Sequence, residues 1–265
     1  VLETKALSKH FGSVRAVDSV DIQIPEGQMV SIIGSSGAGK STLLRMINRL
    51  TEPTDGRILY DGRDITALKN KDLLDWRKDS AMIFQQFNLV KRLDVLTNVL
   101  MGRLRYHGTI PSLFKQFTQE EKLLAVKNLD EVDILEQALK RCDQLSGGQQ
   151  QRVAIARAMM QEPKIILADE PIASLDPRSA KKVMEALRTI NREKGITVIT
   201  SLHHLASARE FSERIIGMSL GKVVFDGHPT ELTRDIVRQI YSVEDANEEL
   251  EHDTENLAVT AMSSV

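Results

Sequence analysis

Apolar positions change their spacing several times along the chain, and each change marks an element. Val20, Ile22 and Ile24 alternate with polar neighbours, the period-two pattern of a strand with one buried face. Pro25 to Gly27 turns the chain into the apolar run Met29–Ile33, which reads as a fully buried strand. Beyond it, Leu43, Leu44, Ile47 and Leu50 recur at helical spacing. Residues 53–56 turn, residues 57–60 make a short strand, and Asp61-Gly62 has hairpin-turn chemistry. Residues 80–86, SAMIFQQ, predict another apolar strand that ends in two glutamines. From Phe87 to about Met160 the spacing is helical, clearest over 95–101 and 119–132, with a Pro- and Gly-containing link over 106–117. KIILA at 164–168 returns to a buried strand. Pro177 then opens a helix in which Ala180, Val183, Met184, Leu187 and Ile190 form one apolar stripe, closed by Gly195. Residues 196–201 are the next strand, 214–220 and 222–225 are two more linked at Gly221, and a helix over 229–241 ends the folded part. The chain thus reads as a β-rich front end and a helical subdomain inserted between core strands. From Glu244 to Val265 there are seven Asp or Glu and no Lys or Arg, which predicts a solvated, poorly ordered tail.

The turn between the strand at 29–33 and the helix that follows reads GSSGAGKST: Gly34, Ser35, Ser36, Gly37, Ala38, Gly39, Lys40, Ser41 and Thr42. A Gly-rich turn lets successive backbone N–H groups curl around an anion, since Gly37 and Gly39 present no Cβ to obstruct it. The helix start adds its positive end. Lys40 is placed to reach the β- and γ-phosphates of a nucleotide, and the Ser41 hydroxyl to ligate Mg²⁺. The pattern G-x4-G-K-S/T is complete and has the strand-loop-helix context it needs, so the stretch resembles the phosphate loop of P-loop NTPases.

A second glycine-rich helix start lies at 145–158, LSGGQQQRVAIARA, where Ser146 is a good N-cap and Gly147 and Gly148 free backbone N–H groups for another anion site. The strand at 164–168 runs into Asp169 and Glu170. The strand at 196–201 delivers two adjacent histidines, His203 and His204, with equal claims on composition alone. Gln85 and Gln86 end the strand at 80–86, where a neutral amide can ligate a metal or hold a water and then withdraw. Phe11, before Gly12, offers either an aromatic face for a purine or a core-packing side chain.

Composition changes this picture little. The chain has 265 residues and a net charge of −2, so no overall positive field argues for nucleic acid. Its single cysteine, Cys142, excludes an internal disulfide framework and fits a reducing compartment. No apolar run is long enough to span a bilayer, and the N-terminus lacks the apolar core of a signal peptide, so the chain is expected in the cytosol unless something docks it.

LSGGQ with QRVAIARA, in a chain that already holds a phosphate loop, resembles the ATP-binding subunits of ABC transporters over roughly residues 2–240. The resemblance implies a P-loop NTPase α/β core with an antiparallel β subdomain and an α-helical subdomain. The ATP-binding domain would occupy 1–243, with the core and β subdomain in 1–86 and 161–243, the helical subdomain in 87–160 and the acidic tail in 244–265. It implies ATP and Mg²⁺ as cofactors, with Ser41, Gln85 and Asp169, the last through water, around the metal. Glu170 would orient the attacking water, His203 rather than His204 would contact the γ-phosphate, Gln85 rather than Gln86 would sense metal and partner, and Phe11 would stack on adenine. Ser146, Gly147, Gly148 and Gln149 would cap the ATP of a second copy paired head to tail, and Asp176 in Ser174-Leu175-Asp176 would cross between the two. Further partners implied are transmembrane permease subunits and, indirectly, a periplasmic-type solute-binding protein, with no nucleic acid. The place implied is the cytoplasmic face of the inner membrane, as a peripheral subunit. Leu89, Val90 and Leu93 beside Gln85 mark 87–122 as the expected permease-docking face.

EPIASLDP at 170–177, Ser201-Leu202-His203, FQQFNLVKRLDVLTNVL at 84–100 and SLFKQFTQEEK at 112–122 resemble the phosphonate-importer branch most. Departures are Asp133, where relatives usually carry Gly, and Ser35, where many have Pro. Two other readings are a soluble ABC ATPase in repair, translation or iron–sulfur assembly, and a scaffold that binds ATP without useful turnover. Those of the first that act on nucleic acid usually carry two cassettes in one chain or a long coiled-coil insert, and neither is found here. Against the second stand an intact Glu170 and His203.

Overall fold

The computed structural model describes residues 1–106, 117–241, 245–247 and 249–250. Residues 107–116 of the expected link at 106–117, and residues 244, 248 and 251–265 of the tail, lie outside them. Contacts divide the chain into two compact units, Val1–Ala67 with Ile199–Val265, and Leu68–Val198. The expected helical subdomain, 87–160, falls wholly inside the second.

In the first unit, strands β1 (Leu2–Phe11), β2 (Val14–Ile24), β4 (Asp55–Tyr60) and β5 (Arg63–Asp64) form an antiparallel sheet in the order β2-β1-β4-β5. The Asp61-Gly62 hairpin is present, with both residues at positive φ (49° and 77°) and Tyr60 opposite Arg63, as a two-residue turn between twisted strands requires. The alternation at Val20, Ile22 and Ile24 is borne out, since all three are buried. A second sheet runs β10 (Lys222–Gly227), β9 (Arg214–Ser219), β3 (Met29–Ile33), β8 (Thr197–Leu202), with β3 parallel to β9. β3 and β8 are buried at every position, which is why their sequences are runs rather than alternations. The division between the units falls inside β8.

Helix α1 (Lys40–Ile47) follows β3 and buries Leu43, Leu44, Met46 and Ile47, each contributing about 2 kcal/mol of apolar burial. Leu50, expected on the same stripe, lies beyond the helix end and is 46% exposed. In the core of this unit a hydroxyl trio joins neighbouring elements: Ser31 Oγ lies 2.8 Å from Thr200 Oγ1 and 2.5 Å from Ser212 Oγ. The single helix expected over 229–241 is a 3-10 turn at Pro229–Glu231 followed by a separate helix, Arg234–Ile240. Thr233 restarts it by accepting a bond from the Ile236 N–H, a cap of about 1 kcal/mol.

In the second unit, α2 (Asn70–Asp79) leads into β6 (Ser80–Ile83), which pairs in parallel with β7 (Ile165–Asp169). Helices α3 (Val95–Leu100), α4 (Gln119–Glu131) and α5 (Gly147–Met159) pack against one another, and α5 packs on α6 (Pro177–Lys194). α6 has the expected Pro at its start, Gly195 in the left-handed conformation at its end, and Val183, Met184, Leu187 and Ile190 buried. α4 opens with a capping box between Thr118 and Glu121. β6 ends at Ile83, short of the expected 86, because the chain turns at Gln85 and Gln86.

Candidate functional site

In the first unit, β3 delivers the chain to the loop at 34–39. Gly34, Gly37 and Gly39 hold φ of +152°, +80° and +103°, all outside the usual range of L side chains. A Cβ at Gly34 would collide with the Met218 carbonyl and one at Gly39 with the Ala16 carbonyl, whereas one at Gly37 would meet open space. Crowding from behind therefore selects glycine at 34 and 39, and backbone conformation alone selects it at 37. Gly221, expected only as a strand link, props the loop: its N–H donates to the Ala38 carbonyl at 3.1 Å, and its own carbonyl accepts from the Asp18 N–H at 2.9 Å. Lys40 is 4% exposed and folds back so that Nζ donates to the carbonyls of Gly34 (2.6 Å) and Ser35 (3.0 Å). Ser36 and Gly37 face solvent, and Ser41 and Thr42 are half-buried on the first turn of α1. A glycine loop backed closely by carbonyls, open to solvent at Ser36 and Gly37 and with an ammonium at its base, suits a phosphate group.

Phe11, at the end of β1, is 52% exposed, so it does not pack the core; the Lys9 ammonium lies 5.1 Å from its ring centroid. His203 follows the last residue of β8, and its carbonyl accepts from the Tyr241 hydroxyl at 2.8 Å. His204 is the next residue, at the start of helix α7 (Leu205–Phe211), and is engaged by the tail. Its Nδ1 lies 3.2 Å from Glu249 Oε1, and this bond to a carboxylate holds the imidazole above its ordinary range, against the opposing effect of burial.

In the second unit, β7 ends on Asp169, which is 3% exposed. Glu170 follows at φ +49°, a left-handed conformation that costs a non-glycine residue about 1–3 kcal/mol and concentrates at functional sites. Ser146 caps α5 through a capping box: its Oγ accepts from the Gln149 N–H at 3.3 Å, and Gln149 Oε1 accepts from the Ser146 N–H at 2.9 Å. A Cβ on Gly148 would stand 2.6 Å from Ser179 Cβ, so this glycine sets how closely α5 approaches α6. Asp176 caps α6, accepting from the Ser179 N–H at 3.0 Å, and hydrogen bonding to Ser179 holds its carboxyl below the usual range. Asp133 sits at φ +54°, a conformation glycine adopts freely. Its carboxylate bridges Arg152 of α5 (3.0 Å) and Lys182 of α6 (3.2 Å), and Lys182 is the main cause of its lowered pKa.

Gln85 and Gln86 are exposed, and the next two residues, Phe87 and Asn88, both take positive φ (52° and 49°). Arg157 of α5 clasps this bend, donating to the carbonyls of Phe87 (2.8 Å) and Asn88 (2.6 Å). Sequence reasoning missed this residue; a lone cation inside VAIARAMM was the available signal. Cys142 is buried, and burial pushes its thiol up to about 11, as expected of an inert cysteine.

Two glycine-rich helix starts and a buried Asp followed by Glu at a strand end make a family assignment testable. The sequence profile described as ABC transporter matches residues 17–173, more than half of the chain. This chain belongs to the ABC transporter family. Among curated relatives, it is similar to the phosphonates import ATP-binding protein PhnC of Agrobacterium fabrum, 59% identical over 240 residues, 91% of this chain and 84% of that one. The PhnC of Rhizobium etli is 57% identical over 92% of this chain and 87% of its own length. Among solved structures, the dimeric post-hydrolysis state of the ATP-binding cassette MJ0796 bound to ADP and Pi superposes with a TM-score of 0.76 at 37% identity, covering 86% of this chain and 99% of that one. CbiO1 from Clostridium perfringens, part of the ABC transporter complex cbiONQ, gives 0.78 at 28% identity, covering 91% and 94%.

As an ABC ATPase, the chain distributes its expected site residues between the two units. Phe11, the loop at 34–42 and His203 belong to the first; Gln85, residues 146–149, Asp169, Glu170 and Asp176 belong to the second. The described part of the tail makes contacts of its own. Asp245 and Glu249 are bonded to residues of the first unit and Ala246 is fully buried, while Asp245 and Asn247 remain exposed. Among the described residues, no helix is long and apolar enough to cross a membrane.

Proposed function

We propose that this subunit binds and hydrolyses ATP to drive import of phosphonate, or a related phosphorus oxyanion such as phosphite or a phosphate ester, through separate permease subunits at the cytoplasmic face of the membrane. The observation that carries the reading is the loop at 34–39, with carbonyls behind Gly34 and Gly39 and buried Lys40 at its base. The solute class rests on the likeness to phosphonates import proteins.

Within the proposed working domain, residues 1–243, Phe11 stacks on adenine and the N–H groups of 34–42 with Lys40 hold the phosphates. His203 contacts the γ-phosphate and Glu170 orients the attacking water. Ser41, Gln85 and Asp169 would hold Mg²⁺: a hydroxyl, an amide and one carboxylate are the sparse oxygen set that suits an ion keeping several waters and sharing phosphate oxygens. Bound there, Mg²⁺ supplies charge neutralisation on the β- and γ-phosphates. Ser146, Gly147, Gly148 and Gln149 complete the site of a second copy, paired head to tail across Asp176, and a periplasmic-type binding protein delivers solute to the permease.

Glu170→Gln tests the reading. Hydrolysis should fall by about 10²–10⁴-fold while ATP binding persists and a stable dimer accumulates with ATP on size exclusion. Near-normal turnover would show that another group orients the water. Reconstitution with permease and binding protein should give ATPase stimulation by phosphonate; stimulation by an unrelated solute alone would reassign the cargo.

A further inference from the structure

Two carboxylates of the acidic tail lie on the nucleotide side of the first unit. Asp245 Oδ2 accepts from the Ser35 hydroxyl of the phosphate loop at 3.0 Å. Glu249 Oε2 accepts from the Leu205 N–H at 2.7 Å, and its other oxygen lies 3.2 Å from His204 Nδ1. Between them Ala246 is fully buried, while Tyr241, just before the segment, is buried and bonded to the His203 carbonyl at 2.8 Å. Asp245 and Glu249 thus touch, respectively, the loop at 34–42 and the residues that follow β8.

We propose that Asp245–Asn247 with Glu249 and Leu250 form a built-in competitor for ATP: docked, they set one carboxylate on Ser35 of the phosphate loop and one on His204 and Leu205 at the end of β8, and nucleotide must displace them. The physical reason is charge. Asp245 hydrogen-bonds the Ser35 hydroxyl of a loop whose N–H groups and lysine would receive phosphate oxygens, and a carboxylate held there repels the triphosphate, with Glu249 adding a second negative charge at the end of β8. Asp245 and Asn247 remain exposed to solvent, so displacement is within reach of ATP binding energy and is weakened by salt. Burial, with Glu249 and Asp245 close by, raises the Tyr241 phenol well above its ordinary range, consistent with both carboxylates facing this corner. By linkage, whatever the tail takes from ATP affinity, ATP takes from tail docking.

The inference rests on residues 34–42 being the ATP site, which Lys40→Ala checks by itself. Full-length Asp245→Asn/Glu249→Gln should bind ATP about tenfold more tightly than the parent chain, with the gap shrinking as salt rises. A chain ended after Ser242 should match it, and if that chain misfolds the point variants decide alone. In the parent chain, amide exchange at 245–247 should quicken when ATP is added. Equal ATP affinity in parent and variants, or exchange at 245–247 indifferent to ATP, overturns the proposal and leaves the site reading intact. Undiminished ATP affinity in Lys40→Ala overturns the site reading and the proposal with it.

Discussion

Gly34, Gly37 and Gly39 share one loop for different reasons, and the difference is measurable. Gly39 combines φ +103° with a carbonyl where its Cβ would go, so Gly39→Ala should cost about 2–3 kcal/mol in a denaturant melt and abolish ATP binding. Gly37 has the strained φ but open space around it, so Gly37→Ala should cost about 1 kcal/mol and weaken nucleotide binding without destroying the fold. Equal losses in the two variants would contradict the crowding account. Asp133 shows the converse. It occupies a left-handed position without being glycine, and its carboxylate bonds Arg152 and Lys182. The departure at 133 thus exchanges backbone freedom for an exposed bridge between α5 and α6.

At the scale of elements, β3 and β8 carry the chain to the phosphate loop and to His203, and the Ser31, Thr200 and Ser212 hydroxyls tie those two strands together inside the core. Buried hydroxyls that lose a partner cost more than a hydrogen bond gains. Ser31→Ala should therefore destabilise by about 1–3 kcal/mol in a thermal or denaturant melt, with most of the effect lost in a background that already carries Thr200→Val. Additive losses would show that the trio is not a unit. In the second unit, Arg157 does comparable work: a helix side chain holds two consecutive strained residues in place directly after Gln85 and Gln86. Movement of that bend is thereby linked to α5, whose first residues carry the second glycine-rich cap.

At the scale of the whole molecule, the proposed function requires a face on which a permease would push. Of the three apolar residues beside Gln85, Leu89 and Leu93 are half-buried, and the Leu93 carbonyl accepts from the Cys142 N–H. Val90 is 42% exposed, and its backbone is held on both sides by the Asn98 amide, so its side chain can change without loss of local structure. Val90→Asp should leave melting temperature and basal hydrolysis of the isolated subunit nearly unchanged and abolish co-purification with the permease and stimulation by loaded binding protein. Retained stimulation would move the docking face away from this bend.

Much was legible in the residue order because the physics involved is local. Apolar runs marked β3, β7 and β8; a Gly-rich turn before a helix marked the phosphate loop; and Ser146, Pro177 and Gly195 marked helix ends, since caps act within one turn. What the sequence left open depends on partners distant along the chain. Phe11 was undecided between core and surface until its exposure was known. Gly148 needed Ser179, and Gly221 needed Ala38, to show their purpose. Arg157 acts through carbonyls 69 and 70 residues away, which no periodicity encodes. The acidic tail is the sharpest case. Its composition reads as too polar to build a core, yet composition cannot say whether a carboxylate finds a hydroxyl 210 residues earlier in the chain, and only the tertiary structure puts Asp245 on Ser35.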